Sequence, residues 1–245
     1  MMLRDIAKAM GMPSAKVHRY LVSLAREGMV EQEGSGARYS LGPLALTVGL
    51  AALHQLDVVK ICGNAAADLR DRTDLTVLLA IWGSAGPTIV RWEESRRPIA
   101  INVRVGSVLT LLDSATGLVF AAFAERHVTE EKIAEELRDH RDRDEIENHL
   151  AEIRSHGIAL VRGNQLSSVN AISAPIFDHT GTLAAALTIL GPERRFNVMW
   201  DSQEAADLME ISRQLSERLG YLRKDKTTLQ ATIAVPEKKD IQKNY

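Results

Sequence analysis

Lys16, His18 and Arg19 fall within one turn of a short helical stretch, and Ser35 and Arg38 follow in and after a Gly-rich turn. Such residues serve one chemistry well, which is to meet nucleic acid. Arg forks onto guanine, while Ser, Lys and His reach phosphates or base edges. A merely solvated helix face would carry the same residue types, so the flanking pattern decides. Leu3, Ile6, Ala7 and Met10 recur at helical spacing, and Gly11-Met12-Pro13 then breaks the helix. Ser14 stands at the N-cap or first turn of a second helix, with Val17, Leu21 and Leu24 as its buried stripe. Gly28 stops that helix. Segments 30–33 and 38–41 read as strands around Gly34-Ser35-Gly36-Ala37. Two helices across a tight turn, backed by a hairpin, form a winged helix-turn-helix pattern. The expected DNA-facing set is Ser14, Lys16, His18, Arg19, Ser35 and Arg38.

Two later segments are rich in small and hydroxyl residues. Residues 105–117 pass from a strand through a turn into a helix start near Asp113 or Ser114. Free backbone N–H groups at such a start favour an anionic ligand group. Residues 168–177 would line a pocket with alternate side chains of a strand. Core structure with an ordinary helix cap explains both segments equally well.

Other chemistries are disfavoured. His140, His149 and His156 lack metal-ligand spacing, and neither HExxH nor paired Cys occurs, so no metal and no cofactor is expected. Cys62 has no neighbouring motif that would lower its pKa, so it reads as a buried thiol. There is no GxSxG elbow and no phosphate loop, so no catalytic residue is assigned. Glu130-Glu131 and Glu135-Glu136 are consecutive on a helix and read as a solvated face.

Wider patterns set the elements that hold these residues. Of 245 residues, 45% are hydrophobic and only 4% aromatic, so aliphatic side chains must build the core. One cysteine excludes a disulfide scaffold. No apolar run is long enough for a membrane span, and with no signal sequence at the start the expected location is the cytoplasm. Residues 1–40 carry a net +2 and residues 125–154 a net −5, a slightly basic head on an acidic body. Pro43 opens a linker helix with Leu46, Leu50, Leu53 and Leu56 as its stripe. Beyond it, strands are expected at 75–82, 88–93, 99–105, 158–161, 171–177 and 183–190. Helices are expected from Val58 and at 114–124, 129–139, 144–155 and 208–222. Without βαβ alternation this is an α+β body with an antiparallel sheet. The domain reading is 1–42 winged helix-turn-helix, 43–56 linker helix, 57–222 α+β body and 223–245 disordered tail.

The chain resembles the IclR-type transcriptional regulators. The likeness lies in Leu3-Arg4-Asp5-Ile6-Ala7, Gly11-Met12-Pro13-Ser14, His18-Arg19-Tyr20-Leu21, Glu27-Gly28-Met29-Val30 and Arg38-Tyr39-Ser40-Leu41-Gly42. Val105-Gly106-Ser107, Leu109, Leu111, Gly117 and the 171–178 run extend it through the body. The resemblance implies a GAF-like effector-binding domain, double-stranded operator DNA and a homodimer or tetramer. It also implies an effector pocket lined by Ile101, Leu109, Ala115, Thr116, Val161, Ala171, Thr188 and Leu190. Thr116, Thr188 and the helix start near Ser114 would be its donors. So apolar a lining suits an aromatic or medium-chain effector, with carboxylic acids among the candidates. The chain departs from the family at Thr110, Leu118 and Val161, and the head starts without its usual first helix. The head is therefore expected to expose apolar surface or borrow cover from a partner. The alternative from another class is a GAF-like sensor or enzyme whose head makes protein contacts.

Overall fold

The computed structural model describes residues 1–34, 38–97, 103–137, 142–163 and 168–222. Ser35, Ile99, Ile101, His140 and the 223–245 segment lie outside them. The described chain divides into two compact units, residues 1–56 and 57–222.

The first unit holds α1 (Leu3–Met10), α2 (Ser14–Arg26), β1 (Val30–Gln32), β2 (Tyr39–Leu41) and α3 (Pro43–His54). Gly11 ends α1 in the left-handed region, at φ 60°, where a side chain would be strained. Its N–H bonds the Ala7 and Lys8 carbonyls. Pro13 then takes the extended N-cap position, and Ser14 is the first helical residue of α2. Ala7, Val17, Leu21 and Tyr39 form the core, with Leu3, Ile6, Met12 and Val30 packed around them. The third residue of the expected stripe departs from it. Leu24 is 40% exposed, because the cluster supplied by α1 and the hairpin ends at Leu21. β1 and β2 pair antiparallel, with Gln32 opposite Tyr39. No residue of α3 is buried.

The second unit contains α4 (Val58–Thr73), β3 (Thr76–Gly83), β4 (Gly86–Glu93), α5 (Ala115–Phe123), α6 (Arg126–Glu136), α7 (Arg143–His156), β5 (Ala159–Val161), β6 (Val169–Phe177), β7 (Leu183–Pro192) and α8 (Gln203–Arg218). The strands form one sheet in the order β4-β3-β7-β6-β5, and every neighbouring pair is antiparallel. α4 and α8 pack on one face and α5 on the other, with α6 and α7 beyond it. Strand alternation divides the side chains between these layers. Leu78, Ala80, Ala186 and Leu190 join the cluster of Leu118, Val119 and Phe120 from α5. Val77, Leu79, Ile172, Leu187 and Ile189 are fully buried on the opposite face.

The strand expected at 99–105 does not form where it is described. Residues 103–105 are irregular, and Val105 is 56% exposed. The chain instead turns at Gly106 and lies against β4, with Gly106 N–H donating to Ile89 O at 2.8 Å and Leu109 N–H to Pro87 O at 2.8 Å.

α5 is buried from Ala115 through Ala122. A Cβ on Gly117 would lie 2.1 Å from Thr110 O and 2.6 Å from Leu111 Cα, both backbone atoms that cannot swing aside. Gly117→Ala is therefore expected to destabilise the body by about 2 kcal/mol or more, read as a lower urea midpoint. An unchanged midpoint would show that α5 is not seated this closely.

Candidate functional site

α2 buries Val17 and Leu21, so its opposite side faces outward. Arg19 and Arg26 lie on that outward side, two turns or about 10 Å apart along the axis, with Ser23 between them and Ala15 one turn before Arg19. Lys16 flanks the row, and all five residues are exposed. Ser23 Oγ donates back to Arg19 O at 3.2 Å. Ser14 is exposed at the first turn. Arg38 is exposed at the hairpin, where it bridges to Met2. His18 lies at the side of the helix, with Nδ1 3.4 Å from the buried Tyr39 hydroxyl of β2. It tethers the helix to the wing more than it extends the outward row. The DNA-facing set expected from the sequence contains none of Ala15, Ser23 and Arg26. Their shared direction with Arg19 is the signal that finds them.

In the body, strand register brings several of the residues expected at the pocket close together. Val161 pairs with Ala171, and Ala171 with Leu190, placing the three in one row across β5, β6 and β7. Ser173 and Thr188 form the next row on the same face. Leu109, Val161, Ala171 and Leu190 all belong to the cluster around α5, and Ala115 and Thr116 sit at its first turn.

The hydroxyls of this region are bonded to one another. Thr116 Oγ1 lies 2.7 Å from Thr188 Oγ1, which donates to Ser173 Oγ at 2.8 Å. Ser173 Oγ in turn donates to Leu187 O at 3.5 Å. With Thr116 as the first donor, each hydroxyl proton is used within the row. Ser114 accepts Gly117 N–H at 2.9 Å and donates to Thr110 O at 2.6 Å, so it caps its own helix. The first-turn N–H groups of Ala115 and Thr116 have no carbonyl partner within the helix.

One residue overturns its expected role. Glu136 is no solvated charge. Its carboxylate accepts Leu111 N–H at 2.8 Å and Leu112 N–H at 2.9 Å, pinning the loop before α5 to the end of α6. That contact joins residues 25 positions apart, which local spacing does not reveal. Glu130 does behave as a surface charge, bonded by Arg143 and Arg126, which hold its carboxyl below the usual range.

Burial pushes the Cys62 thiol up to about 12, although Arg218 acts in the other direction, so it is neutral at physiological pH. Among the described residues no His, Cys, Asp and Glu converge in a group that would hold a metal ion. No single described helix is long and apolar enough to cross a membrane.

Residues 50–217 match the model of the bacterial transcriptional regulator IclR C-terminal domain, and residues 1–34 match the IclR helix-turn-helix domain. This chain belongs to the IclR family. As an IclR-family protein it is a ligand-responsive, DNA-binding transcriptional regulator with an effector-binding C-terminal domain. It is 42% identical to HmgR of Pseudomonas aeruginosa, whose crystal structure superposes with a TM-score of 0.85 over 90% of each chain. The HTH-type transcriptional regulator BhcR of Paracoccus denitrificans is 27% identical over 87% of this chain and 79% of its own. The Agrobacterium tumefaciens repressor BlcR shares the fold, with a TM-score of 0.77 at 19% identity over 91% of this chain and 90% of its own.

Within this IclR-family body, Glu136→Gln retains one acceptor oxygen for two backbone donors. It is expected to cost about 1–3 kcal/mol and to speed amide exchange at Leu111 and Leu112. Exchange there as slow as in the parent would show that the carboxylate does not hold the loop.

Proposed function

We propose that α2 of this regulator enters the DNA major groove and that the β1–β2 wing touches the backbone. The outward row of Arg19, Ser23 and Arg26 beside Lys16 carries the reading, because it presents cations in register with a groove and leaves the apolar residues inside. Ser14, Arg38 and Ser35 complete the interface as phosphate contacts, and His18 steadies the wing. The head, the linker helix and the body then occupy 1–42, 43–56 and 57–222.

The protein works as a homodimer or tetramer in the cytoplasm. Leu46, Leu50 and Leu53 of α3 are 65%, 48% and 37% exposed. With Leu41, Ala45 and Gly49 they border an apolar groove of about 510 Å³. A second copy of the chain covers it, which also supplies the second head that a two-fold operator requires.

The body binds a small molecule and performs no chemistry on it. A neutral buried Cys62 and hydroxyls engaged with one another support a binding role. Leu109, Val161, Ala171 and Leu190 offer an apolar surface, worth roughly 25 cal/mol per Å² covered. That favours an aromatic or medium-chain effector, a carboxylic acid among the candidates, over two- or three-carbon keto acids. The latter would leave that surface uncovered and their own oxygens under-satisfied.

Arg19→Ala and Lys16→Ala are each expected to weaken binding to the DNA flanking the protein's own gene, with the fold retained. Each lost phosphate contact should reduce the salt slope by about 0.9. Unchanged affinity and slope in both variants would remove α2 from the interface. For the body, calorimetry with a benzoate series should show tighter binding than with glyoxylate or pyruvate. The reverse order would overturn the apolar reading.

A further inference from the structure

The pocket around α5 is poor in donors for an acid. Thr116, Thr188 and Ser173 direct their protons along one another, and Ser114 is engaged with its own helix. Positive charge lies at a neighbouring place. Where β3 begins and β7 ends, a cleft of about 380 Å³ opens with Leu75, Leu190 and Pro192 as its apolar walls. Leu190 belongs to both the cleft and the predicted pocket. Arg97, Arg195, Asp74 and Ser95 supply the polar walls.

Most of these polar groups are occupied. Ser95 Oγ donates to Arg97 O at 2.6 Å, and Thr73 Oγ1, also at the cleft, donates to Leu69 O at 2.8 Å. Asp74 accepts Arg96 N–H at 3.3 Å. The arginines are not. Among the described residues the Arg97 side chain is met only by Asp74, with Nε 4.0 Å from the carboxylate. Among the described residues, the Arg195 side chain has neither an ion pair nor a hydrogen bond. Two under-used guanidinium groups beside an apolar wall suit one kind of ligand.

The geometry points to this cleft as a binding site for an organic monocarboxylate, its acid group on Arg97 and Arg195 and its apolar body on Leu75 and Leu190. This rests on the reading of the body as an effector domain for an apolar acid, and assigns the acid group its anchor. A guanidinium fork matches a carboxylate in shape and charge. Leu75 and Leu190 are 9% and 5% exposed, so the apolar body meets only their edges, beside the half-buried Pro192. Asp74 stands against a second negative charge, so a dicarboxylate is disfavoured.

Calorimetry on the full chain tests it, with benzoate, benzamide, phthalate and inorganic phosphate as probes. Benzoate is expected to bind most tightly and to weaken as salt rises. Arg97→Gln and Arg195→Gln should each weaken benzoate about tenfold, the scale of one charge-assisted bond. Both side chains are exposed, so the ligand-free melting temperature should hold. Unchanged benzoate affinity in both variants overturns the assignment, as does equal binding of benzamide or phosphate. If Leu109→Asp abolishes benzoate binding while both Arg variants bind normally, the effector reading survives and the cleft alone fails. If the parent binds no aromatic carboxylate, the effector reading fails and the cleft assignment with it.

Discussion

The close seat of α5 on the sheet is the contact on which the rest of the body depends. Gly117 has no side chain because the backbone of Thr110 and Leu111 fills that space. The residue before it, Thr116, reaches across to Thr188 at 2.7 Å. Such an approach brings buried polar atoms together, and each would cost about 1–3 kcal/mol if left without a partner. The row through Ser173 to the Leu187 carbonyl meets that need. Glu136 holds the loop before α5 from the other side. With the start of α5 fixed this way, anything that displaces it must move a packed layer rather than a loose side chain.

The head is built on a different balance. Its core has four buried residues, and Leu24, Tyr20 and Leu41 remain exposed. A unit this small gains little from burial. Its function needs only that α2 and the hairpin keep their mutual angle. The Tyr39 ring in the core and the His18 contact to its hydroxyl hold that angle. The charges do the remaining work, and they act best where solvent leaves them, on the outward side of α2.

The same division explains the exposed α3. A linker helix whose leucines face water would be a liability in a lone chain. On the two-headed arrangement proposed above it is the surface at which copies meet. The apolar groove on α3 and the arginines at the cleft of the body are thus two unmet requirements of different kinds. One calls for hydrophobic cover and the other for negative charge.

Much of this was determined by the sequence alone. Gly11-Met12-Pro13 had to break a helix, because Gly tolerates positive φ and Pro sets the next start. Val17 and Leu21 had to face inward by their spacing, and the apolar runs on either side of Asp178-His179-Thr180-Gly181 had to make a hairpin of β6 and β7. These are local rules, and neighbouring residues are enough to apply them. What only the tertiary structure decided was set by distance in the chain. Leu24 fits the buried stripe but lies where the head's core has already ended. The alternation near Val103 reads as a strand, yet backbone bonds to β4 and the turn at Gly106 take the segment elsewhere. Thr116 and Thr188 read as donors to a ligand, and only folding showed that 72 residues of chain return to place them against each other. Glu136 read as a surface charge until Leu111 and Leu112 brought it two N–H groups. A side chain's type states what it can bond. Which partner it meets depends on loop closure and packing across the whole domain, and no local pattern carries that information.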